Sequence, residues 1–299
     1  MASEKEHRLT EAKIEIAARD VSAAEEVLLE CEDARWSILE DSIAQRAWIM
    51  GIFDSEDQAR SEWTKLVLRL AFAVTPIAIR SLDQKDWRDS YKTHFRAWRF
   101  GRLHWVPVWE REKYSVPEGD AVLWLDPGLA FGTGNHETTR LCVERLVEHA
   151  AHTGARGRVV DAGCGSGILA LSAAKLGYPC VEGFDNDAEA VRVSLENSEL
   201  NGLSDTVRFT VADLTDGFPS GQSDVVLANI LANVLTEFAV PISRSVKPGG
   251  WLILSGILSG ECELVRSAFS TVVPAWEQRS RTLGEWSDIL LIRPTDELR

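Results

Sequence analysis

The sequence predicts an α/β fold in which a small α+β domain precedes a mostly parallel, seven-stranded sheet with helices on both faces. From residue 137 onward, short apolar runs alternate with segments of helical period, which is typical of parallel strands joined by crossover helices. Two closing strand-like runs with no helix between them predict an antiparallel hairpin at the sheet edge. The first 80 residues instead show the order βαββαβ, which is typical of a ferredoxin-like sandwich.

The amino-terminal elements follow from changes in hydrophobic period. Alternation of apolar and polar residues predicts the first strand, and apolar residues at helical spacing predict the helix after it. Ser55, followed by acidic residues, is typical of the start of a long helix. The expected elements are strand 12–18, helix 21–31, strands 35–39 and 46–53, helix 55–72 and strand 76–80.

Residues 81–120 differ in composition from both flanking segments. Five tryptophans lie between Trp87 and Trp124, several of them beside arginines. Such a segment could form a recognition surface, or its aromatic side chains could be ordinary core between two domains. We therefore expect a recognition domain over 1–80, a Trp/Arg-rich connector over 81–120 and a catalytic domain over 121–299.

The carboxyl-terminal elements alternate between helix and strand. The helices are expected at about 137–150, 168–176, 187–201, 231–245 and 260–269. The strands are expected at about 158–162, 180–184, 206–211, 223–229, 250–255, 272–280 and 286–293.

Composition narrows the class of protein. The formal net charge of −14 argues against a nucleic-acid-binding protein, since such binding depends on clustered Lys and Arg, and it favours a basic protein as partner. No apolar run is long enough to cross a membrane and the first residues are charged, so we expect a cytoplasmic protein. The five cysteines show no metal-ligand spacing, and we expect no bound metal. We also expect a monomer.

A glycine-rich turn directly follows the strand expected at 158–162. Gly163, Gly165 and Gly167 would let the backbone approach a ligand, and the helix behind them would offer unpaired N–H groups. A dinucleotide site would place its third glycine at 168, where Ile168 stands instead. The pattern Asp-x-Gly-x-Gly-x-Gly resembles the first motif of class I methyltransferases. On its own, it could be only a tight connection between strand and helix.

Two aspartates follow the next two strands. Asp185, 22 residues after Gly163, stands where a carboxylate would hold the hydroxyl groups of a ribose, whereas Asp187 is the better helix cap. Asp213 could accept a hydrogen bond from an adenine amino group, or it could be a surface turn residue.

Asn229 ends the fourth buried strand, at the position where amino-group methyltransferases hold the target nitrogen. It could also cap the helix expected to begin near residue 231. Earlier in the chain, His136 and Glu137 have no second histidine nearby, which disfavours a metal site there.

Several longer strings resemble the ribosomal protein L11 methyltransferase family. They are Asp126-Pro-Gly-Leu-Ala-Phe-Gly-Thr-Gly-x-His-x-Thr-Thr139, Asp161-x-Gly-Cys-Gly-Ser-Gly-Ile-Leu-Ala170, Asn229-Ile-Leu-Ala232, Lys85-Asp-Trp87 and Arg99-Phe-Gly101. The resemblance spans roughly residues 80–255, and the loop departs from the usual pattern at Asn135 and Glu137.

The resemblance implies a Rossmann-like class I methyltransferase fold that uses S-adenosylmethionine to methylate lysine side chains or the terminal amine of a ribosomal protein. It also implies that the amino-terminal domain docks that protein. The cofactor contacts that it implies are Thr139, Gly163, Asp185 and Asn229. We expect the cofactor site to include Phe131, Gly132, Thr133, Gly165, Gly167 and Asp213 as well. Asn229 would in addition orient the target amine as the catalytic residue, after desolvation has lowered the pKa of that amine.

Other functions fit parts of the same pattern. A different basic protein could be the substrate, since only the docking surface would change. Methylation of RNA is disfavoured because Asn229-Ile-Leu-Ala232 has no aromatic residue on which a base could stack. A scaffold that has lost catalysis would not need the intact set of loops. Hydride transfer would need nicotinamide binding, which Ile168 disfavours.

Overall fold

The computed structural model describes residues 9–21, 23–24, 27–28, 35–41, 46–70, 72, 74–82, 96–126, 137–218 and 221–295. The chain divides into two compact units, residues 1–94 and residues 95–299. No helix within the described residues is both long and apolar enough to span a membrane.

The first unit contains a four-stranded antiparallel sheet. Its elements are β1 (Leu9–Ala17), β2 (Trp36–Asp41), β3 (Arg46–Phe53), α1 (Glu56–Val67) and β4 (Ala78–Leu82), and residues 21, 23–24 and 27–28 are helical as expected. The strand order is β2-β3-β1-β4. Ser55 caps α1 by accepting a hydrogen bond from the backbone N–H of Gln58, which confirms the expected helix start. Alternate residues of β1, among them Ile14, point into a core against α1.

A small three-stranded sheet opens the second unit, with its first two strands in the expected connector and its third in the expected catalytic domain. It consists of β5 (Trp98–Phe100), β6 (Leu103–Pro107) and β7 (Ala121–Leu125), with β5 antiparallel and β7 parallel to β6. Trp105 is fully buried, and its indole N–H donates to the hydroxyl of Ser172 at 2.9 Å. This tryptophan is therefore core of the second unit and not a recognition surface.

The main sheet of the second unit has seven strands. They are β8 (Arg158–Ala162), β9 (Cys180–Asp185), β10 (Val207–Val211), β11 (Ser223–Asn229), β12 (Val246–Leu258), β13 (Glu277–Leu283) and β14 (Trp286–Ile292). Their order is β10-β9-β8-β11-β12-β14-β13. The first five strands in this order are parallel, and β14 and β13 form the antiparallel edge hairpin that the sequence predicts.

Helices cover both faces of this sheet. They are α2 (Glu137–Thr153), α3 (Ile168–Leu176), α4 (Ala188–Leu200), α5 (Ala232–Glu237), α6 (Ala239–Arg244) and α7 (Cys262–Val272). Val159 and Leu227 belong to the core beneath α2, α3 and α4, whereas their neighbours Val160 and Ala228 belong to the core beneath α5, α6 and α7. Alternate residues of these strands are therefore buried on opposite faces, as continuous apolar strands require.

Several expected boundaries were wrong. Helix α1, expected to reach residue 72, ends at Val67. The single helix expected over 231–245 is two helices, because Pro241 has no N–H to donate to Glu237 and its ring would clash with that carbonyl. Strand β12 is longer than 250–255 and begins at Val246. The next strand begins at Glu277, not 272, because α7 continues to Val272.

Candidate functional site

The candidate site lies where the strand order of the main sheet reverses. From β8, the chain builds the sheet outward through β9 and β10, and it then returns to place β11 on the other side of β8. Asp161 of β8 pairs in register with Leu227 of β11, so both strands end at the same edge. Ligands of open α/β sheets bind beyond the carboxyl ends of the strands at such a reversal.

The glycine turn after β8 is a left-handed backbone segment. Gly163, Gly165 and Gly167 have φ angles of +71°, +53° and +76°, which favour glycine. A Cβ on Gly163 would lie 2.5 Å from Ile230 Cγ2, and one on Gly167 would lie 2.8 Å from the Phe209 ring. A Cβ on Gly165 would meet no atom of the described residues within 4 Å. Two glycines are thus required by packing, whereas Gly165 faces open space that a ligand could fill.

The turn leads into the amino terminus of α3, where Gly167 is the cap residue and supplies no side-chain hydrogen bond. In this first turn the N–H of Ala170 already donates to the Asp161 carboxylate. The remaining N–H groups and the helix dipole favour negative charge at such an end. The structure therefore places a helix amino terminus beside Gly165.

Asp161 is a site residue that sequence reasoning treated only as the first position of a motif. It is 1% exposed, and its Oδ2 accepts the backbone N–H of Ala170 at 3.0 Å. Among the described residues, its Oδ1 has no hydrogen-bond partner. Burial raises the pKa of this carboxyl to about 7, against the opposing effect of the Ala170 hydrogen bond. A carboxylate at the end of an apolar strand was the signal in the sequence that could have identified it.

Asp185 connects the second strand to the glycine turn. Its Oδ2 accepts the backbone N–H of Gly165 at 2.9 Å, and its Oδ1 accepts that of Asp187 at 3.0 Å. Asp187 in turn caps α4 through the N–H of Glu189, as the sequence predicts. The Asp185 carboxylate thus lies against the turn.

Asp213 lies at the same edge in an exposed turn. Ala212 N–H donates to the Asp185 carbonyl at 3.0 Å, so the two loops are neighbours. The Asp213 Oδ1 accepts hydrogen bonds from both the hydroxyl and the backbone N–H of Thr215, and these bonds lower the pKa of its carboxyl. Asp213 is therefore a surface turn residue, which was one of the two roles that the sequence allowed. A contact with adenine stays a prediction.

Asn229, at the end of β11, faces the first turn of α2. Its Nδ2 donates to the hydroxyl of Thr139 at 3.3 Å, and Thr139 is 4% exposed. The cap of the following helix is Leu231, so the alternative that Asn229 caps this helix is wrong. Ile230, the next residue, touches Gly163 and joins this pair to the glycine turn.

Some residues singled out from the sequence lie outside the described residues. Phe131, Gly132, Thr133 and His136 fall within 127–136, and Lys85 and Trp87 fall within 83–95. Within the described ranges, no group of three or more His, Cys, Asp or Glu side chains could hold a metal ion. The expectation of no metal stays a prediction.

Comparison with known proteins adds an independent observation. Residues 1–293 match the family model described as ribosomal protein L11 methyltransferase. A protein of that name from Geobacter sp. (strain M21) is 43% identical over 205 residues, which cover 67% of this chain and 66% of the relative. A Pseudomonas paraeruginosa relative of the same name is 40% identical over 227 residues, which cover 75% and 74%. These alignments thus span about two thirds to three quarters of the relatives' length.

A solved structure gives the same result at the level of the fold. The crystal structure of a ribosomal protein L11 methylase from Lactobacillus delbrueckii subsp. bulgaricus is 30% identical in sequence. It matches 67% of this chain and 100% of its own with a TM-score of 0.59.

Proposed function

Because this chain belongs to the ribosomal protein L11 methyltransferase family, we propose that it transfers methyl groups from S-adenosylmethionine to amino groups of a ribosomal protein. The observation that carries this proposal is the meeting of two loops at one sheet edge. The glycine turn with Asp185 comes from β8 and β9, and the Asn229–Thr139 pair comes from β11 and α2. The glycine turn with Asp185 would form the cofactor pocket, and Asn229 beside it would bind the target amine.

The main sheet is proposed to be a Rossmann-like class I methyltransferase sheet, and the first unit a ferredoxin-like domain. The reversal of strand order at β8 and β11 supports the former, and the antiparallel order β2-β3-β1-β4 with helices between the strands supports the latter. In this proposal, residues 1–80 dock the ribosomal protein and residues 121–299 carry out catalysis, with 81–120 as the connector.

The residues present fit S-adenosylmethionine. Gly165 leaves space for a ligand, the α3 amino terminus suits its carboxylate, and the unpartnered Asp161 Oδ1 suits a cationic amine. Asp185 would hold the ribose hydroxyl groups. The other proposed cofactor contacts within the described residues are Gly163, Gly167, Thr139, Asp213 and Asn229. Three more, Phe131, Gly132 and Thr133, lie outside the described residues. When bound, the cofactor supplies a methyl group activated by its sulfonium.

The protein's own task is to present a neutral amine in line with that group. A lysine amine has an unperturbed pKa near 10.4, so it must lose a proton before it can act as a nucleophile. Desolvation at the carboxyl ends of the buried strands β8 and β11 would favour the neutral form. The Nδ2 of Asn229 donates to the hydroxyl of Thr139, and this bond leaves the Asn229 Oδ1 facing the site. We propose that this Oδ1 accepts an N–H of the amine and so orients the amine's lone pair. No strong general base is required.

The net charge of −14 supports a basic protein as substrate. It also supports the further proposal that the enzyme does not bind nucleic acid. We propose in addition that it acts as a cytoplasmic monomer.

The test is a labelling experiment with radioactive S-adenosylmethionine and a lysate that contains undermethylated ribosomes. We expect label on one ribosomal protein, loss of that label with Asp185→Ala, and full labelling with Asp205→Ala, an exposed aspartate at the start of β10. Label on another basic protein would change the substrate, and label on RNA would contradict protein methylation. No label despite cofactor binding would indicate a scaffold.

A further inference from the structure

The carboxyl edge of the main sheet carries two exposed leucines beside Asn229. Leu231 is 65% exposed and Leu258 is 42% exposed, although each adjoins a buried strand or helix. They flank a tight backbone contact, since a Cβ on Gly256 would lie 2.5 Å from the carbonyl oxygen of Ile230. Leu231 is two residues after Asn229, and Leu258 is three residues beyond Ser255, which pairs with Asn229. Both leucines thus lie on the outer rim of the site.

Three glutamates continue this rim from Leu258. The Leu258 N–H donates to Glu261 Oε2 at 3.2 Å. Leu258 also pairs with Trp286, the residue after Glu285, and the Glu285 carbonyl accepts the N–H of Ser259 at 2.8 Å. Glu137 lies next to the turn between β13 and β14, with its Cγ 3.9 Å from a Cβ built on Gly284 in that turn. We define the leucine–glutamate rim as Leu231, Leu258, Glu137, Glu261 and Glu285.

The charge of this edge is one-sided. The described loops that follow the parallel strands, together with the hairpin turn, hold acidic side chains but neither Lys nor Arg. Their acidic residues are Asp187, Asp213, Asp216, Glu261 and Glu285. In α2, Glu137 is followed by Arg140, whose guanidinium lies over the Trp98 ring at 4.0 Å from its centroid. Elsewhere many carboxylates are neutralised by arginine, as Glu56, Glu189 and Glu277 are. Within the described part of the chain, no Lys or Arg forms an ion pair with the three glutamates of the rim.

We propose that the leucine–glutamate rim binds an extended, lysine-bearing segment of the substrate protein on either side of the target lysine. Lysine stems and neighbouring apolar side chains would pack on Leu231 and Leu258, and flanking ammonium groups would lie near the glutamates. This contact rests on the proposed function. It would add local selection of the methylated residue to the docking proposed for the first unit.

Two kinds of variant test the rim while leaving the fold intact. Glu261→Gln with Glu285→Gln removes two charges, and glutamine retains an oxygen for the Leu258 N–H. The matched control, Glu199→Gln with Asp205→Asn, removes two charges from exposed residues at the opposite edge of the sheet. Leu231→Ser removes the exposed apolar side chain from a helix N-cap, where serine is favoured. Its control is Leu195→Ser on α4, where the leucine is 49% exposed.

The primary measurement is the binding of a short fluorescent peptide by fluorescence anisotropy, with the full chain loaded with S-adenosylhomocysteine. The peptide has a central lysine flanked by lysine and leucine. We expect the double glutamine variant to raise its Kd about 3- to 10-fold at low salt and to weaken the salt dependence of binding. Leu231→Ser should raise the Kd about 3- to 10-fold at all salt concentrations. Both control variants should bind the peptide as tightly as the wild type does. A second peptide, with glutamine in place of the flanking lysines, should bind the double glutamine variant and the wild type with the same Kd.

The outcomes separate this proposal from the proposed function. If rim variants and wild type bind the basic peptide equally, the rim proposal is wrong even where the wild type methylates its protein. If the rim variants lose peptide binding but the wild type transfers no methyl group to any protein, the rim is supported and the proposed function is wrong.

Discussion

The amide of Asn229 and the hydroxyl of Thr139 lie 3.3 Å apart, although 90 positions separate them in the chain. The hydrogen bond joins the end of a buried strand to the first turn of α2. It gives the amide a defined orientation, with its nitrogen toward the helix. The proposed mechanism depends on this orientation, since only the amide oxygen can accept from the target amine.

Asn229→Ala is expected to lower kcat by about 100- to 1,000-fold, because removing one oriented polar group at a reacting centre has effects of this size. Thr139→Val should lower kcat by about 10-fold, since the amide loses its partner but remains in place, and Thr139→Ser should restore most of the activity. The measurements are steady-state kinetics and calorimetric titration with S-adenosylhomocysteine. Unchanged turnover in Asn229→Ala with unchanged cofactor affinity would show that Asn229 does not orient the amine.

The glycine turn predicts different results for two alanine substitutions. Gly165→Ala should cost about 1 to 2 kcal/mol for the left-handed backbone, leave the protein folded and weaken cofactor binding at least about 10-fold. Gly163→Ala adds the clash with Ile230 and should destabilise the fold further.

Gly119→Ala is the matched control for these variants. It has φ +83° and nothing within 4 Å of a built Cβ, but it lies in a turn before β7. It should show the same backbone cost without any loss of cofactor affinity. If Gly165→Ala binds S-adenosylhomocysteine as tightly as Gly119→Ala does, the open space beside Gly165 is not the cofactor pocket.

Asp161 predicts a pH dependence of stability. Burial raises the pKa of its carboxyl to about 7 in the folded protein, above its ordinary value of 3.8. The folded state therefore retains a proton that the unfolded state releases, and this residue's contribution to stability falls as pH rises from about 4 to about 7.

Asp161→Asn should remove that dependence while its amide oxygen still accepts the Ala170 N–H. The free energy of unfolding of the variant minus that of the wild type should rise by about 2 to 4 kcal/mol between pH 4 and pH 7 and then level off. Urea unfolding without cofactor at several pH values measures this difference. A difference that is flat across this range would mean that Asp161 is ionised throughout.

A buried ion-pair network is expected to stabilise the carboxyl-terminal hairpin. Asp288 is fully buried and accepts two hydrogen bonds from the Arg145 guanidinium, at 2.9 and 3.0 Å, and others from Arg281. Asp288→Asn should destabilise the protein by about 3 to 5 kcal/mol, because buried guanidinium charge loses its counter-ion. Glu277→Gln, which breaks an exposed pair with Arg279, should change stability by less than about 1 kcal/mol. Urea unfolding of both variants checks this, and equal effects would contradict it.

The local elements could be predicted from the sequence because each depends on nearby residues. Strand β8 and helix α3 begin and end where periodicity placed them, and Ser55 and Asp187 cap the helices expected of them. The break at Pro241 was also local information, since proline disfavours a continuous helix there. The strands β5, β6 and β7 were missed because none shows alternation over a useful length. β5 has three residues, β6 is buried at every position and β7 is apolar throughout.

The sequence alone therefore determined most of the strand and helix segments of the main sheet and the loops that carry polar residues. Through the strings that it shares with one family, it also indicated the class of reaction. Only the tertiary structure decided that Asn229 bonds to Thr139 rather than capping a helix, and that Asp161 has an unpartnered buried oxygen. It also decided that two leucines stay exposed beside Asn229. The physical reason is that periodicity reports the neighbours of a residue within one turn or one strand. Contacts between loops depend on the order in which strands assemble into a sheet, and no local pattern encodes that order.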